Sequence, residues 1–275
     1  EGLRIVIDAA NGAAYKLAPM VFEELGAEVI PLGNTPNGTN INLNCGALHP
    51  EMCSEAVKKY RADLGVCLDG DGDRLTIVDG NGNVVHGDKL IGLCGKFLKD
   101  NNEIGPANEV VGTVMSNFGV EYYLHQQGLK FTRTQVGDRY IAQHMRQSGA
   151  LFGGEPSGHL VFKKYSTTGD GILAALKVIE SIKFYDMELA DLTKIEMFPQ
   201  VLHNIHVAKR VPFEEVPEIR KAMKSAEAKL GSEGRILLRF SGTEALARIM
   251  VEGRDHSLVH SLCTELSEVV KKSLG

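Results

Sequence analysis

Asp69-Gly70-Asp71-Gly72-Asp73-Arg74 sets three carboxylates at alternate positions, directly after the apolar run Leu64–Leu68. Three ionised side chains a few Å apart repel one another by several kcal/mol unless one takes up a proton or a divalent cation sits among them. The intervening glycines leave the backbone free to curl until all three oxygens converge. An all-oxygen donor set suits a hard ion such as Mg²⁺, which keeps open positions for water or a substrate phosphate, so the spacing points to phosphoryl chemistry. The plainer reading is an acidic surface turn, and a position immediately after a buried strand weighs against it. A calcium hand beginning at Asp69 would need Gly at its sixth position and Glu at its twelfth, where Arg74 and Gly80 stand.

A second cluster has the opposite charge. Arg239-Phe240-Ser241-Gly242-Thr243-Glu244, followed by Arg248, combines hydroxyls, Gly-freed backbone amides and two guanidiniums, a set that can surround a phosphate. Between two strand candidates, Gly153-Gly154-Glu155-Pro156-Ser157-Gly158-His159 offers Glu155 and Ser157 to the vicinal hydroxyls of a sugar. A structural hairpin is the competing reading for both segments. His159 is either a general base or a satisfied structural histidine. Gly137-Asp138-Arg139 lies at a strand-to-helix junction, where Asp138 is expected to cap and Arg139 to add a phosphate contact. Asn11 and Asn117 sit at helix starts and are expected to cap. Cys45, His49 and Cys53 lack a fourth ligand for a zinc site, and free Cys is usually a small buried hydrophobe.

The elements that must carry these residues alternate. Strand Leu3–Asp8 leads through Asn11-Gly12 into a helix whose face is Ala14, Leu17, Ala18, Val21, Phe22 and Leu25, and strand Ala27–Leu32 follows. Residues 33–50 are irregular, Glu51–Tyr60 is a helix, and Leu75–Asp79 with Asn83–His86 forms a hairpin after the acidic loop. A second unit from about Gly87 repeats this plan, with Met115–Tyr122 standing where Asp8–Tyr15 stands in the first. It ends with helix Asp138–Gln147, strands Leu151–Phe152 and Leu160–Phe162, and helix Gly169–Phe184. From Lys194 the order becomes strand, helix, strand, strand, helix. The expected fold is therefore α/β: two duplicated α/β units with mixed, mostly parallel sheets (1–85 and 86–193), then a small α+β domain (194–275).

Composition narrows the partners. A net charge of −5 and a pI near 6.0 argue against nucleic acid or an anionic membrane surface. No run reaches transmembrane length, and five cysteines with no Cys-x-x-Cys pair suit reduced thiols in a cytoplasmic protein. The chain opens without Met almost directly on a strand, which predicts an upstream part. Nothing in the sequence excludes a homodimer.

Taken together, the Asp69–Arg74 loop, Gly154-Glu155-Pro156-Ser157-Gly158-His159 and Arg239–Glu244 with Arg248 resemble the α-D-phosphohexomutase superfamily. Asp8–Ala14, Asn37–Asn42, Met115–Asn117 and Val136–Tyr140 resemble its bacterial amino-sugar branch, and the likeness spans essentially all 275 residues. The resemblance implies interconversion of glucosamine 6-phosphate and glucosamine 1-phosphate through a phosphoserine and a bisphosphorylated sugar, with this chain supplying the second, third and fourth of four domains. It implies Mg²⁺ on Asp69, Asp71 and Asp73, and Arg74 toward the transferring phosphate. Sugar contacts then fall to Glu155 and Ser157, and the non-transferring phosphate to Arg239, Ser241, Gly242, Thr243 and Arg248. Nothing in the chain matches the family's phosphoserine loop, so a missing N-terminal domain is expected and the chain alone should be inactive. Ala245 stands where the family commonly has Pro, which relaxes a fixed φ while leaving the donors. Competing readings are a glucose or mannose phosphate substrate, a haloacid-dehalogenase-type phosphatase built on Asp69-Gly70-Asp71, a phosphosugar-binding fragment without catalysis, and a calcium site of no catalytic use.

Overall fold

The computed structural model describes residues 2–241 and 244–275. Its first elements are β1 (Arg4–Asp8), α1 (Leu17–Glu24), β2 (Glu28–Leu32), α2 (Glu51–Tyr60), β3 (Leu64–Leu68), β4 (Leu75–Asp79) and β5 (Val84–Val85). These strands form a sheet of order β2-β1-β3-β4-β5, with β1 parallel to β2 and β3, and with β4 and β5 antiparallel. Next come α3 (Gly87–Asp100), β6 (Glu109–Thr113), α4 (Phe118–Gln126), β7 (Lys130–Thr134), α5 (Asp138–Ser148), β8 (Phe152–Gly154), β9 (Leu160–Phe162), α6 (Gly171–Tyr185) and α7 (Leu189–Leu192). Their sheet runs β7-β6-β8-β9, with β6 parallel to β7 and β8, and β9 antiparallel. The first four strands of both sheets thus share one order. In each, the third strand turns into an antiparallel fourth, and those two turns are residues 69–74 and 155–159.

Burial explains why β3 delivers the acidic loop so firmly. All five of its residues are buried, as expected of a strand covered on both faces. Cys53, Ala56 and Val57 of α2 pack with Val6, Cys67 and Val78 of the sheet, and α6 lies against β3, β4 and β9. Each fully buried aliphatic side chain contributes roughly 1.5–3 kcal/mol, so a shift of β3 relative to its neighbours is strongly opposed.

Helix α1 departs from expectation. It starts at Leu17, and while Ala18 and Phe22 are buried, Leu17 and Leu25 are exposed. The preceding residues form a turn instead, because the buried Asp8 carboxylate accepts the amides of Ala10 and Gly46, and Ala10 and Asn11 both take positive φ. Helix α1 then packs against β2, the edge strand, which covers only a narrow stripe of it. Asn11 does not cap: its oxygen accepts the Thr35 amide and its nitrogen reaches the Asn40 carbonyl, so it braces the 33–50 loop.

The chain divides into two compact units, Glu1–Ser116 with Tyr123–Ile195, and Asn117–Tyr122 with Glu196–Gly275. In the second, β10 (Gln200–His206), α8 (Pro217–Leu230), β11 (Gly234–Phe240), β12 (Leu246–Gly253) and α9 (His256–Leu274) follow the expected order. The sheet β10-β12-β11 is wholly antiparallel, and α8 and α9 cover it through Ile219, Ala226, Val259, Leu262 and Leu266. Asp255 caps α9 by accepting the amides of Ser257 and Leu258. Asn117 bonds the Gly119 amide and both backbone groups of Phe198, and the buried Glu252 accepts the Phe118 amide and Arg235 Nε, fastening the 117–122 segment to this unit. Among the described residues no helix is long and apolar enough to cross a membrane.

Candidate functional site

In the first unit the acidic loop curls as its glycines allow. Gly72 has φ +77° and donates its amide to the Asp69 carbonyl, while the Gly70 carbonyl accepts the Ala13 amide. One ligand atom from each of Asp69, Asp71 and Asp73 lies within 4.8 Å of the others, and among the described residues this is the one cluster able to hold a metal ion; Cys45, His49 and Cys53 form none. Asp69 is buried, Asp73 half-buried and Asp71 exposed, so the open side of the cluster faces solvent. Burial pushes the Asp69 carboxyl above the usual range; the Arg74 amide pulls it back, and Asp73 and Asp71 push it up again. Arg74 Nε stands 3.8 Å from Asp69 and 3.9 Å from Asp73, too far and too exposed to neutralise them. The cluster is short of positive charge, which is what an oxygen-ligated divalent ion would supply.

Against this loop packs the second turn. The Gly158 carbonyl accepts the Leu75 amide at 3.0 Å, and Gly158 takes φ +88°. A Cβ there would lie 1.9 Å from the Leu75 carbonyl oxygen, so only glycine permits the approach. Ser157 is exposed, His159 is buried beside Asp73, and Glu155 is half-buried. Glu155 Oε1 accepts the Gly137 amide at 2.9 Å, which draws the 136–140 loop to the same edge. Asp138 is not the cap predicted for α5. Gly137 holds that place, and the Asp138 carboxylate accepts the adjacent Arg139 amide. Arg139 is exposed and lies over the Tyr140 ring, donating to its hydroxyl. The structure thus gathers Asp69, Asp71, Asp73, Arg74, Glu155, Ser157 and His159 through touching loops, with Asp138 and Arg139 joined to them by Glu155. A cavity of about 460 Å³ bordered by Asp63, Leu64 and Gly80 lies at the other end of β3 and contains none of them.

In the second unit, Arg239 of β11 stands directly opposite Arg248 of β12. Like charges in that register are destabilising unless an anion joins them. Arg248 reaches Glu244 at 3.3 Å, while its Nε is buried with no hydrogen-bond partner among the described residues. Ser241 is buried, and its hydroxyl accepts the Glu244 amide. Gly242 and Thr243 lie outside the described residues. Sequence reasoning misses Arg210, which donates to the Glu244 carbonyl and adds a third guanidinium at this loop. It sits in an irregular stretch 34 positions earlier, and no spacing signals it.

Comparison with known proteins follows these contours. Residues 1–82 match phosphoglucomutase/phosphomannomutase alpha/beta/alpha domain II, residues 86–198 match alpha/beta/alpha domain III, and residues 202–269 match the C-terminal domain. The chain is 49% identical over 275 residues to a phosphoglucosamine mutase of Desulfovibrio desulfuricans and 48% identical over 276 residues to that of Lawsonia intracellularis, in each case over 100% of this chain and 61% of the relative. It therefore spans about three fifths of the length of these curated relatives. Among solved structures, a phosphoglucomutase/phosphomannomutase family protein from Burkholderia thailandensis superposes with TM-score 0.78 at 22% identity, covering 98% of this chain and 60% of the other. An Aspergillus fumigatus N-acetylphosphoglucosamine mutase in complex with GlcNAc-6P and magnesium superposes with TM-score 0.73 at 21% identity, covering 98% and 67%. Three consecutive domain matches in family order, on sheets and loops that carry the expected residues, establish that this chain belongs to the phosphoglucomutase/phosphomannomutase family of α-D-phosphohexomutases.

Proposed function

We propose that this chain is part of a phosphoglucosamine mutase, interconverting glucosamine 6-phosphate and glucosamine 1-phosphate on the way to UDP-N-acetylglucosamine. The observation that carries the reading is the convergence of Asp69, Asp71 and Asp73 beside the Glu155–His159 turn, in a chain that also holds opposed Arg239 and Arg248. Relatives of that activity at 49% identity support glucosamine phosphates over glucose or mannose phosphates. The three segments 1–85, 86–193 and 194–275 act as metal-binding, sugar-binding and phosphate-binding domains.

The residues divide the work. Asp69, Asp71 and Asp73 would hold Mg²⁺, the ion present in the Aspergillus complex, and the all-oxygen, charge-rich cluster fits it. That ion would supply neutralisation of charge on a moving phosphoryl group. Arg74 faces that phosphate, and Glu155 and Ser157 bond the sugar hydroxyls. Asp138 and Arg139 line the same edge. Arg239, Ser241, Gly242, Thr243 and Arg248 hold the phosphate that stays. The phosphoserine comes from a segment outside these 275 residues, so the chain alone binds and does not turn over. Its partners are the phosphosugar and the rest of the longer protein, in the cytoplasm.

The test is isomerisation by the longer protein. Glucosamine 1-phosphate should form from the 6-phosphate without release of inorganic phosphate, and Asp71→Asn should lower kcat by at least about 100-fold. Steady phosphate release would overturn the reading in favour of a phosphatase.

A further inference from the structure

Arg210 lies on the irregular stretch that leaves β10, and ties on both sides of it hold that stretch against the turn between β11 and β12. Before it, the Val207 amide donates to the Ala245 carbonyl at 3.0 Å and the Ala208 amide to the Leu274 carbonyl at 2.7 Å. After it, Phe213 stacks on Phe240, the residue preceding Ser241, with ring centroids 4.1 Å apart and planes inclined by 19°. The stretch so fixed sets the Arg210 guanidinium on the Glu244 carbonyl, which also accepts the Leu246 amide at 2.8 Å. A carbonyl can hold a guanidinium in place but has no net charge to cancel it. The Glu244 carboxylate is spent on Arg248 instead, and among the described residues neither Arg210 nor Arg239 pairs with a carboxylate. Three guanidiniums that touch Glu244 or face Arg248, less one carboxylate, leave two positive charges in excess. The buried Arg248 Nε, with no partner among the described residues, marks a donor still to be filled.

From this placement we infer that Arg210 is a specificity-determining residue of the guanidinium loop: its charge, held in place by the Glu244 carbonyl, makes the loop select doubly charged phosphate monoesters over singly charged anions of similar shape. The inference rests on the phosphate reading of this loop. Without Arg210, Arg239 and Arg248 less Glu244 would leave one excess charge, which a monoanion satisfies. With it, the excess matches a phosphate monoester, which carries a charge of about −1.5 to −2 near neutral pH. A sugar phosphodiester, with one charge per phosphate, is then disfavoured even where its sugar fits. Attraction between fixed charges is linear in the charge of the ligand, so the fold-change caused by Arg210 for a dianion is about the square of that for a monoanion.

The experiment titrates the full chain with methyl phosphate, a dianion at about pH 8, and with methyl sulfate, a monoanion of similar shape, at low ionic strength, reading amide shifts by NMR. Wild type should bind methyl phosphate more tightly. Arg210→Gln keeps an N–H for the Glu244 carbonyl and loses the charge; it should weaken methyl phosphate by about 5-fold and methyl sulfate by only about 2-fold, while Arg210→Lys stays within about 2-fold of wild type for both. Glu244→Gln, which removes the opposing charge, should strengthen methyl phosphate by about 5-fold and methyl sulfate by about 2-fold. Thermal unfolding checks that each variant is folded. An Arg210→Gln chain that binds methyl phosphate like wild type, equal losses for the two anions, a Lys variant as weak as Gln, or a weakened dianion in Glu244→Gln overturns the inference. A wild type that binds neither anion, or binding that Arg239→Ala leaves unchanged, overturns the phosphate reading beneath it.

Discussion

The acidic loop and the guanidinium loop solve one electrostatic problem on two different scaffolds. Each gathers like charges that repel in the bare protein and await a counter-ion: three carboxylates within 4.8 Å in one, Arg239 directly opposite Arg248 in the other. The first hangs from a strand buried at every position and is gripped by the Gly158 turn; the second caps a strand that is nowhere fully buried. A metal site must fix oxygens to a few tenths of an Å, and it has a rigid mount. A phosphate clamp built of long side chains tolerates a looser mount, because a guanidinium can follow its ligand. On the proposed function, rigidity follows the geometric demand of the ion each loop would hold.

That contrast can be broken at several points. Gly158→Ala should be the most damaging single change, lowering unfolding free energy in urea by about 3–5 kcal/mol, since the new methyl meets backbone at a positive φ. Gly231→Ala in the second unit, also at positive φ but with nothing within 4 Å, should lower it by about 1 kcal/mol. Equal effects would remove the distinction between mounts.

Arg248→Ala should weaken inorganic phosphate binding by about 10-fold in calorimetry, yet slightly raise thermal stability without phosphate by relieving the repulsion from Arg239. A loss of stability in phosphate-free buffer would mark Arg248 as structural.

The pH dependence sharpens the contrast inside the first unit. Asp69 binds its proton more tightly folded than unfolded, so its contribution to the metal-free chain falls as pH rises through the carboxylate range. Glu109, buried at the start of β6, behaves oppositely. Burial pushes its carboxyl up, but hydrogen bonds from Lys130, Thr132, Ser148 and His144 outweigh that and hold it at about 2. Its contribution is present above the ordinary glutamate range and is lost as pH falls toward about 2. Glu109→Gln should therefore lower neutral-pH stability by about 1–3 kcal/mol and flatten the acid limb of an unfolding titration. Asp69→Asn, the smallest effect, should raise metal-free stability by up to about 1 kcal/mol at neutral pH and abolish stabilisation by Mn²⁺.

Much of this is legible in residue order. Helix Glu51–Tyr60, strands Leu64–Leu68 and Leu75–Asp79, and the element sequence of the C-terminal unit follow from local periodicity and turn chemistry, and the structure has them. The acidic and arginine motifs are compact runs, visible because their donors are neighbours in sequence. What stays hidden depends on contacts across long separations. Periodicity misplaces the start of α1 because Asp8 commits its carboxylate to Gly46, and it assigns Leu17 and Leu25 to a face that an edge strand cannot cover. Asn11 has the sequence position of a cap and serves a loop more than 20 residues away. Arg210 and the meeting of His159 with Asp73 have no local signature, because folding alone makes them neighbours.

The shared strand order of the two sheets has an evolutionary corollary. Copying a quartet of strands yields two turns at the same structural address, and once one copy keeps the framework sound, the other can drift toward a new chemistry. Residues 69–74 carry three converging carboxylates and residues 155–159 a turn with Glu155 and Ser157, on sheets whose four-strand wiring is the same. Specialisation of this kind requires only that ancestral twins end up side by side, where two halves of one task can be learned separately.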